Sequence, residues 1–327
     1  MMKKKILLIL TGLLLLGSTA ITLFVGPYFL NVSYYPANAG KGYYAGFYVY
    51  ISPGAKKLAA SGKAVTFLVQ PNNSGITSDD PAVHKKDAWW TGFERHKIAN
   101  ELDVILLVPA FIRPGTDWHI YTHALDRDVL TTGRKDLART DLQLIAMIDE
   151  ARAFLKQDSI HSNPKFLIQG FSASGMFANR FTMLHPDRIL AAAIGSPGGW
   201  PIAPQKKYNN NLLPYPAGVG DLETLIGMPF DSITYVQVPQ LFVMGSADNN
   251  DSLDFTDGWE KESADLVDTL FGNDPQSRWP NSEALYKSVN SNTRFILVNG
   301  IGHDRKKLQS YTTDFFLRIL NQNNPSN

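Results

Sequence analysis

The sequence predicts an α/β fold: a mostly parallel β-sheet with helices on both faces and a short insertion over one edge. Two observations lead there. Strand-like and helix-periodic blocks alternate along the chain, which forces parallel pairing through right-handed crossovers. Several strand-like blocks are continuous apolar runs, the pattern of strands buried on both faces. A length of 327 residues, 44% hydrophobic and 19% charged, sustains one large core and excludes a disordered or fibrous chain.

The elements follow in order. GFYVYISP (46–53) and AVTFLVQP (64–71) are β-branched and aromatic runs closed by proline, and read as early strands. TGFERHKIANEL (91–102) spaces Phe93, Ile98 and Leu102 as a helix does, and VILLVPAF (104–111) is a doubly buried strand. TDLQLIAMIDEARAFLKQ (140–157) has the clearest helical period, at Leu142, Ile145, Ile148, Ala151 and Leu155, with Thr140 or Asp141 placed to cap it. FLIQGF (166–171) is the next strand, and ASGMFANRFTMLHP (173–186) is a helix closed by Pro186. ILAAAIGSP (189–197), LFVMGSAD (241–248) and RFILVNG (294–300) complete the strands, and SEALYKSV (282–289) and RKKLQSYTTDFFLRILNQ (305–322) are the last helices. Gly198 to Val238, rich in proline, glycine and aromatics, breaks the rhythm and reads as the insertion.

Thirty-one basic and 30 acidic residues leave a net charge of +1, so no global field draws the chain onto nucleic acid. The N-terminus is locally different: Lys3, Lys4 and Lys5 precede an apolar run from Ile6 to Val25. About 20 apolar residues cross a bilayer, whereas a signal-peptide core is about 7 to 15. Length therefore favours a membrane anchor in residues 1–30 over a cleaved signal peptide. A cut after Ser18-Thr19-Ala20 would leave the apolar ITLFVGPYFL on the product. The flanking lysines put this end in the cytoplasm and the domain of residues 31–327 outside it, at the membrane or, with the leader removed, secreted. The absence of cysteine excludes disulfides, thiolate metal sites and a cysteine nucleophile.

Gly170-Phe171-Ser172-Ala173-Ser174-Gly175 lies between a strand and a helix, where small residues let a tight turn lift a serine hydroxyl above the sheet edge. The stretch resembles the G-x-S-x-G nucleophile elbow of the α/β-hydrolase family, with Ser174 at the second glycine position and Gly175 after it. Ser172 is the expected nucleophile, with Ser174 the alternative. An ordinary turn would use the same small residues, so the elbow needs partners. A serine attacks only when a base takes its proton, and the base must be held by a third group. The resemblance implies the order serine, acid, histidine. Asp248 ends the strand in VPQLFVMGSAD, with Asp251 and Asp254 competing, and His303 follows the last strand in Gly300-Ile301-Gly302-His303. The other six histidines read as surface or packing residues. His119 and His123 stand four apart, but with no glutamate between them and no third ligand they do not make a zinc site.

Acyl transfer passes through an oxyanion that two N–H donors should face. One is expected from the amide of Ala173. The resemblance implies that the other comes from the loop after an early strand, LVQPNNSG (68–75), where relatives often carry His-Gly, at Asn73 or else Asn72. The region from Gly46 onward looks like the secreted esterase and polyhydroxyalkanoate depolymerase-like branch of the family. That resemblance implies ester hydrolysis through an acyl-serine without metal or organic cofactor, on a small-molecule or polymeric ester. A peptidase on the same fold, and a retired hydrolase serving as a surface binding protein, stay open. The sequence sets no oligomeric state. Trp89, Trp90, Trp118, Tyr121, Trp200 and Tyr215 are expected near the strand ends, as a cleft lining or as packing for the insertion.

Overall fold

The computed structural model describes residues 26–323. The leader run to Val25 lies outside the described residues, and among those described no helix is long and apolar enough to cross a membrane.

Eight strands form the main sheet: β1 (Val32–Tyr35), β2 (Phe47–Ile51), β3 (Phe67–Val69), β4 (Ile105–Pro109), β5 (Phe166–Phe171), β6 (Ile189–Gly195), β7 (Gln240–Gly245) and β8 (Thr293–Val298). Their order is β1-β2-β4-β3-β5-β6-β7-β8. From β4 to β8 all neighbours pair in parallel, as predicted. The edge departs from the prediction: β2 runs antiparallel to both β1 and β4. Only 15 positions separate the end of β2 from the start of β3, but β2 is taken up by β4 instead. The four-residue β1 is too short to stand out in sequence.

Seven helices of eight residues or more are described: α1 (Pro53–Ala60), α2 (Pro81–Glu101), α3 (Thr140–Gln157), α4 (Ala173–Leu184), α5 (Lys261–Phe271), α6 (Pro275–Ser288) and α7 (Arg305–Asn323). Strand side chains alternate between the faces. Phe47, Val49, Ile105, Leu107 and Ile168 join one buried cluster with α3 and α4, and Tyr48, Tyr50, Leu106, Val108 and Leu167 join the other with α2 and α7. Both faces are covered, which explains the unbroken apolar runs.

Three helix readings need correction, the first being α6, which begins at Pro275, capped by Asp274, seven residues before the predicted 282. α3 keeps its predicted bounds, but its cap is Arg139, in the left-handed region with no side-chain cap bond. Asp141 turns inward instead, to Arg139 and His185 at 2.8 Å each. Its buried face is Leu144, Met147, Ile148, Ala151 and Leu155, and Leu142 is 43% exposed. α2 begins ten residues before the predicted helix, at Pro81, capped by the Asp80 side chain on the Ala82 amide.

A third cluster sits over the carboxyl ends of the strands. Trp200, Ala203, Leu213 and Ala217, between β6 and β7, pack against Leu253, Trp259, Val267 and Phe271, between β7 and β8, and against Ala173 and Met176 of α4. Trp200 stacks on Phe271 at 4.5 Å, the Trp200 indole donates to the Ala217 carbonyl, and Arg127 ties down Asp221 at 2.7 Å. The insertion is thus packed onto the body beside the start of α4.

Candidate active site

β5 runs into α4 with one residue between them, and that residue is Ser172, at φ 60 and ψ −128. A non-glycine residue there is strained and persists only where the surroundings hold it. The Ser172 amide donates to the Gly195 carbonyl at 3.0 Å, which pins the turn to the end of β6. Strand and helix pass so closely that a Cβ on Gly170 would lie 1.9 Å from the Ser174 carbonyl oxygen, and one on Gly175 2.6 Å from that of Gly195. Gly175, rather than position 174, therefore meets the second steric demand.

Ser174 is buried, and its hydroxyl accepts from the Phe171 amide at 3.0 Å and donates to the Phe171 carbonyl at 2.9 Å. It braces the elbow. Ser174→Ala is expected to lower stability by about 1–3 kcal/mol by stranding those groups, and to leave ester turnover within about tenfold. Thermal unfolding and kinetics check this, and complete inactivity of a folded variant would shift the nucleophile to Ser174.

The expected acid and histidine come from the loops after β7 and β8, two and three strands along the sheet from β5. β5 and β8 stand three strand spacings apart, about 14 Å, so the histidine loop has to fold back across β7. It does so at Gly245, where a Cβ would lie 2.0 Å from the Ile301 carbonyl oxygen, and the Ala247 amide then donates to that oxygen at 2.9 Å. The Asp248 carboxylate meets His303 Nδ1 at 2.9 and 3.1 Å. Its side chain is only 2% exposed, while that of His303 is 27% exposed, leaving part of the imidazole open. The imidazole packs on the Phe171 ring with centroids 4.5 Å apart, so it stands against the residue before Ser172. The Ser172 hydroxyl itself has no hydrogen-bond partner among the described residues. Such contacts are commonly loose until substrate binds.

Burial alone would raise the Asp248 carboxyl. Hydrogen bonds from His303 and the Asn250 amide, with the nearby Ser196 hydroxyl, outweigh it and hold the group below the usual carboxylate range. The Gln276 side chain donates to the Asp248 carbonyl and fixes the backbone. Of the competitors, Asp251 is engaged by Arg278 at 2.7 Å, and Asp254 lies in an exposed single turn.

The Ala173 amide opens α4, where the first N–H groups of a helix lack internal acceptors. On the β3 loop, the Asn73 side chain reaches the Phe171 carbonyl at 3.4 Å, which sets this residue against the elbow. Asn72 points away and is fully buried. Its amide nitrogen lies 3.1 Å from Asp87 Oδ2, the Phe111 carbonyl and His123 Nε2, and its oxygen accepts from the Phe111 amide. Asn72 is thus a brace for the loop. Asn72→Ala is expected to cost about 3 kcal/mol, since it strands the Phe111 amide in a buried place; a loss below about 0.5 kcal/mol in denaturant melts would show that the loop is held otherwise.

Three residues near the site had no sequence signal, because their partners are distant. Arg113 donates to the Gly75 carbonyl, pairs with Asp257 at 2.5 Å and lies over the Tyr121 ring at 3.9 Å, so it ties three loops together. Asp87 and Gln276 brace the β3 and β7 loops in the same way. Among the expected aromatics, Trp200 and Tyr215 are buried and pack the insertion, and Trp89 and Trp90 lie within α2 rather than in strand-end loops. His123 is a buried packing residue, which burial holds at about 3.

No protein-family model and no curated protein matches the chain. Solved structures do. Poly(aspartic acid) hydrolase-1 from Sphingomonas sp. KT-1 is similar over 87% of this chain and 97% of its own, at 17% identity and a TM-score of 0.58. A poly(3-hydroxybutyrate) depolymerase from Bordetella parapertussis is similar over 91% of this chain and 93% of its own, at 16% identity and a TM-score of 0.54. Strand order, parallel pairing and these likenesses agree, and the chain has the α/β-hydrolase fold.

Proposed function

We propose that this chain is a serine hydrolase that cleaves carboxylic esters through an acyl-serine intermediate. The observation that carries this reading is the placement of His303, bonded through Nδ1 to the buried Asp248 and packed on the residue that precedes Ser172. In the proposed reaction Ser172 Oγ attacks the ester carbonyl while His303 Nε2 takes its proton. Asp248 keeps Nδ1 protonated, so that Nε2 is free to act as base, and stabilises the imidazolium that forms. The amides of Ala173 and Asn73 face the oxyanion. His303 then protonates the leaving alcohol, and a water molecule activated by the same imidazole releases the acid and frees Ser172. The chain's own groups complete the cycle.

The named activities of the two similar proteins concern polymers, and an ester of either a small molecule or a polymer is the substrate class we infer. The lysine-flanked leader supports placing the enzyme at a membrane, with the domain outside the cytoplasm. The purified chain is expected to turn over p-nitrophenyl esters with a burst of nitrophenol as the acyl-serine forms, and to leave aminoacyl nitroanilides untouched. Nitroanilide turnover exceeding ester turnover would make it a peptidase, and tight polymer binding without any turnover would make it a binding protein.

A further inference from the structure

We propose that Ser196 is a positioning residue of the reaction: its buried hydroxyl donates to the Asp248 carboxylate and holds it against His303 Nδ1. The inference rests on the hydrolase reading and extends it beyond the serine, acid and histidine. Ser196 follows β6 at φ 41, a region that suits glycine and strains a residue with a Cβ. Pro197 adds to the strain, because its ring pushes the residue before it toward extended backbone. The turn already uses glycine at positions 195, 198 and 199, yet position 196 is a serine. Such a residue persists only where its surroundings hold it, and such residues cluster at active sites. Here the backbone is held: the Ser196 amide donates to the Val243 carbonyl of β7 at 2.9 Å, and the Ser196 carbonyl accepts from the Gly198 amide at 2.8 Å.

The placement of the side chain points to the acid. β6 and β7 pair in parallel with Gly195 opposite Val243. The Asp248 amide turns back onto the Gly245 carbonyl at 3.1 Å, which keeps the carboxylate near the same strand ends. Ser196 is 2% exposed, and its hydroxyl lies beside that carboxylate, short of full hydrogen-bond geometry and without another partner among the described residues. A buried hydroxyl seldom goes unpaired. The carboxylate has room for it. Asp248 receives His303 Nδ1 on both oxygens and the Asn250 amide on Oδ1, and an ionised carboxylate offers about four acceptor sites. The bond would close as His303 takes the serine proton, when the anion must stay ionised and aimed at the imidazolium. The preceding Gly195 carbonyl holds the Ser172 amide at 3.0 Å. One residue of this turn thus fixes the elbow and the next fixes the acid. Substrate does not reach so buried a hydroxyl, and Ser196 acts through Asp248.

Two variants separate the hydroxyl from the backbone. Ser196→Ala keeps the strained turn without the hydroxyl, and Ser196→Gly relaxes it, so the glycine variant should melt at or above the parent temperature. On a p-nitrophenyl ester both are expected to lower kcat about 10- to 100-fold at unchanged KM, the pattern of a group that matters only in the transition state. Placed in an Asp248→Ala background, each should cost about twofold or less, because the carboxylate it positions is gone. Equal losses with and without the carboxylate would overturn the proposal and leave Ser196 a turn residue. So would a change in KM alone, or a kcat within about twofold of the parent in either folded variant while Asp248→Ala is inactive. Full turnover in Asp248→Ala itself would instead remove the hydrolase reading, and this inference with it.

Discussion

Ser172→Ala lowers ester turnover by about four to six powers of ten, the range seen when a nucleophile that works as a unit with its base is removed. The expectation follows from the elbow. Ser172 is held in a strained conformation between β5 and α4 with its hydroxyl unengaged, while the neighbouring Ser174 spends its hydroxyl on the Phe171 backbone and cannot substitute. The variant keeps the Gly195 contact through its amide, so it should fold. Turnover on a p-nitrophenyl ester and a thermal melt measure both. A drop below about tenfold in a folded variant would place the nucleophile elsewhere.

Asp248→Asn is expected to lower turnover by about four powers of ten with little change in the fold. The carboxylate accepts from His303 Nδ1 and so leaves the lone pair on Nε2; an amide can turn its NH₂ toward the ring and reverse that tautomer. The same substitution has a signature in stability. Because the folded carboxyl titrates below its unfolded value of about 3.9, its contribution is fully present above that value and is lost as pH falls through the lower, folded one. The parent chain should therefore lose stability as pH drops below about 4, and Asp248→Asn should lose less over the same window. Denaturant midpoints taken down to about pH 2.5 show the difference, and identical acid profiles would mean that the carboxylate is not stabilised by His303.

β5 and α3 keep their expected bounds because each carries a strong local signal, a doubly buried apolar run in one and a helical period in the other. α2 and α5 show where such signals fail. The first turns of α2 carry Lys85, Lys86 and Asp87 among small residues and present no clean apolar stripe; tertiary packing through His84 and Ala88 decides that helix. α5 does bury Ala264, Val267 and Phe271 on one face, but against the insertion rather than the sheet, so it falls outside the strand and helix alternation. The edge strand β1 is fixed by pairing with β2, a distant contact that no local pattern encodes.

At the proposed site, the positions of Ser172, Asp248 and His303 just past strand ends are legible because each follows a strand that local composition marks. The meeting of Asp248 with His303 depends on one steric fact, the clearance over Gly245, which a glycine permits but does not announce. The sequence ranks Asn73 ahead of Asn72 for the oxyanion, but the bracing role of Asn72 is not legible in it. Adjacent asparagines alternate in direction, and only the position of Phe111 and Asp87 shows which one turns inward.

Peptide mapping after reaction with a fluorophosphonate tests the central claim most directly, because this reagent modifies only a serine whose proton a neighbouring base removes. The account predicts one adduct, on the peptide that contains Ser172, formed in the parent chain and suppressed in His303→Ala. An adduct on a different residue, or undiminished labelling of Ser172 once the imidazole is gone, would contradict it.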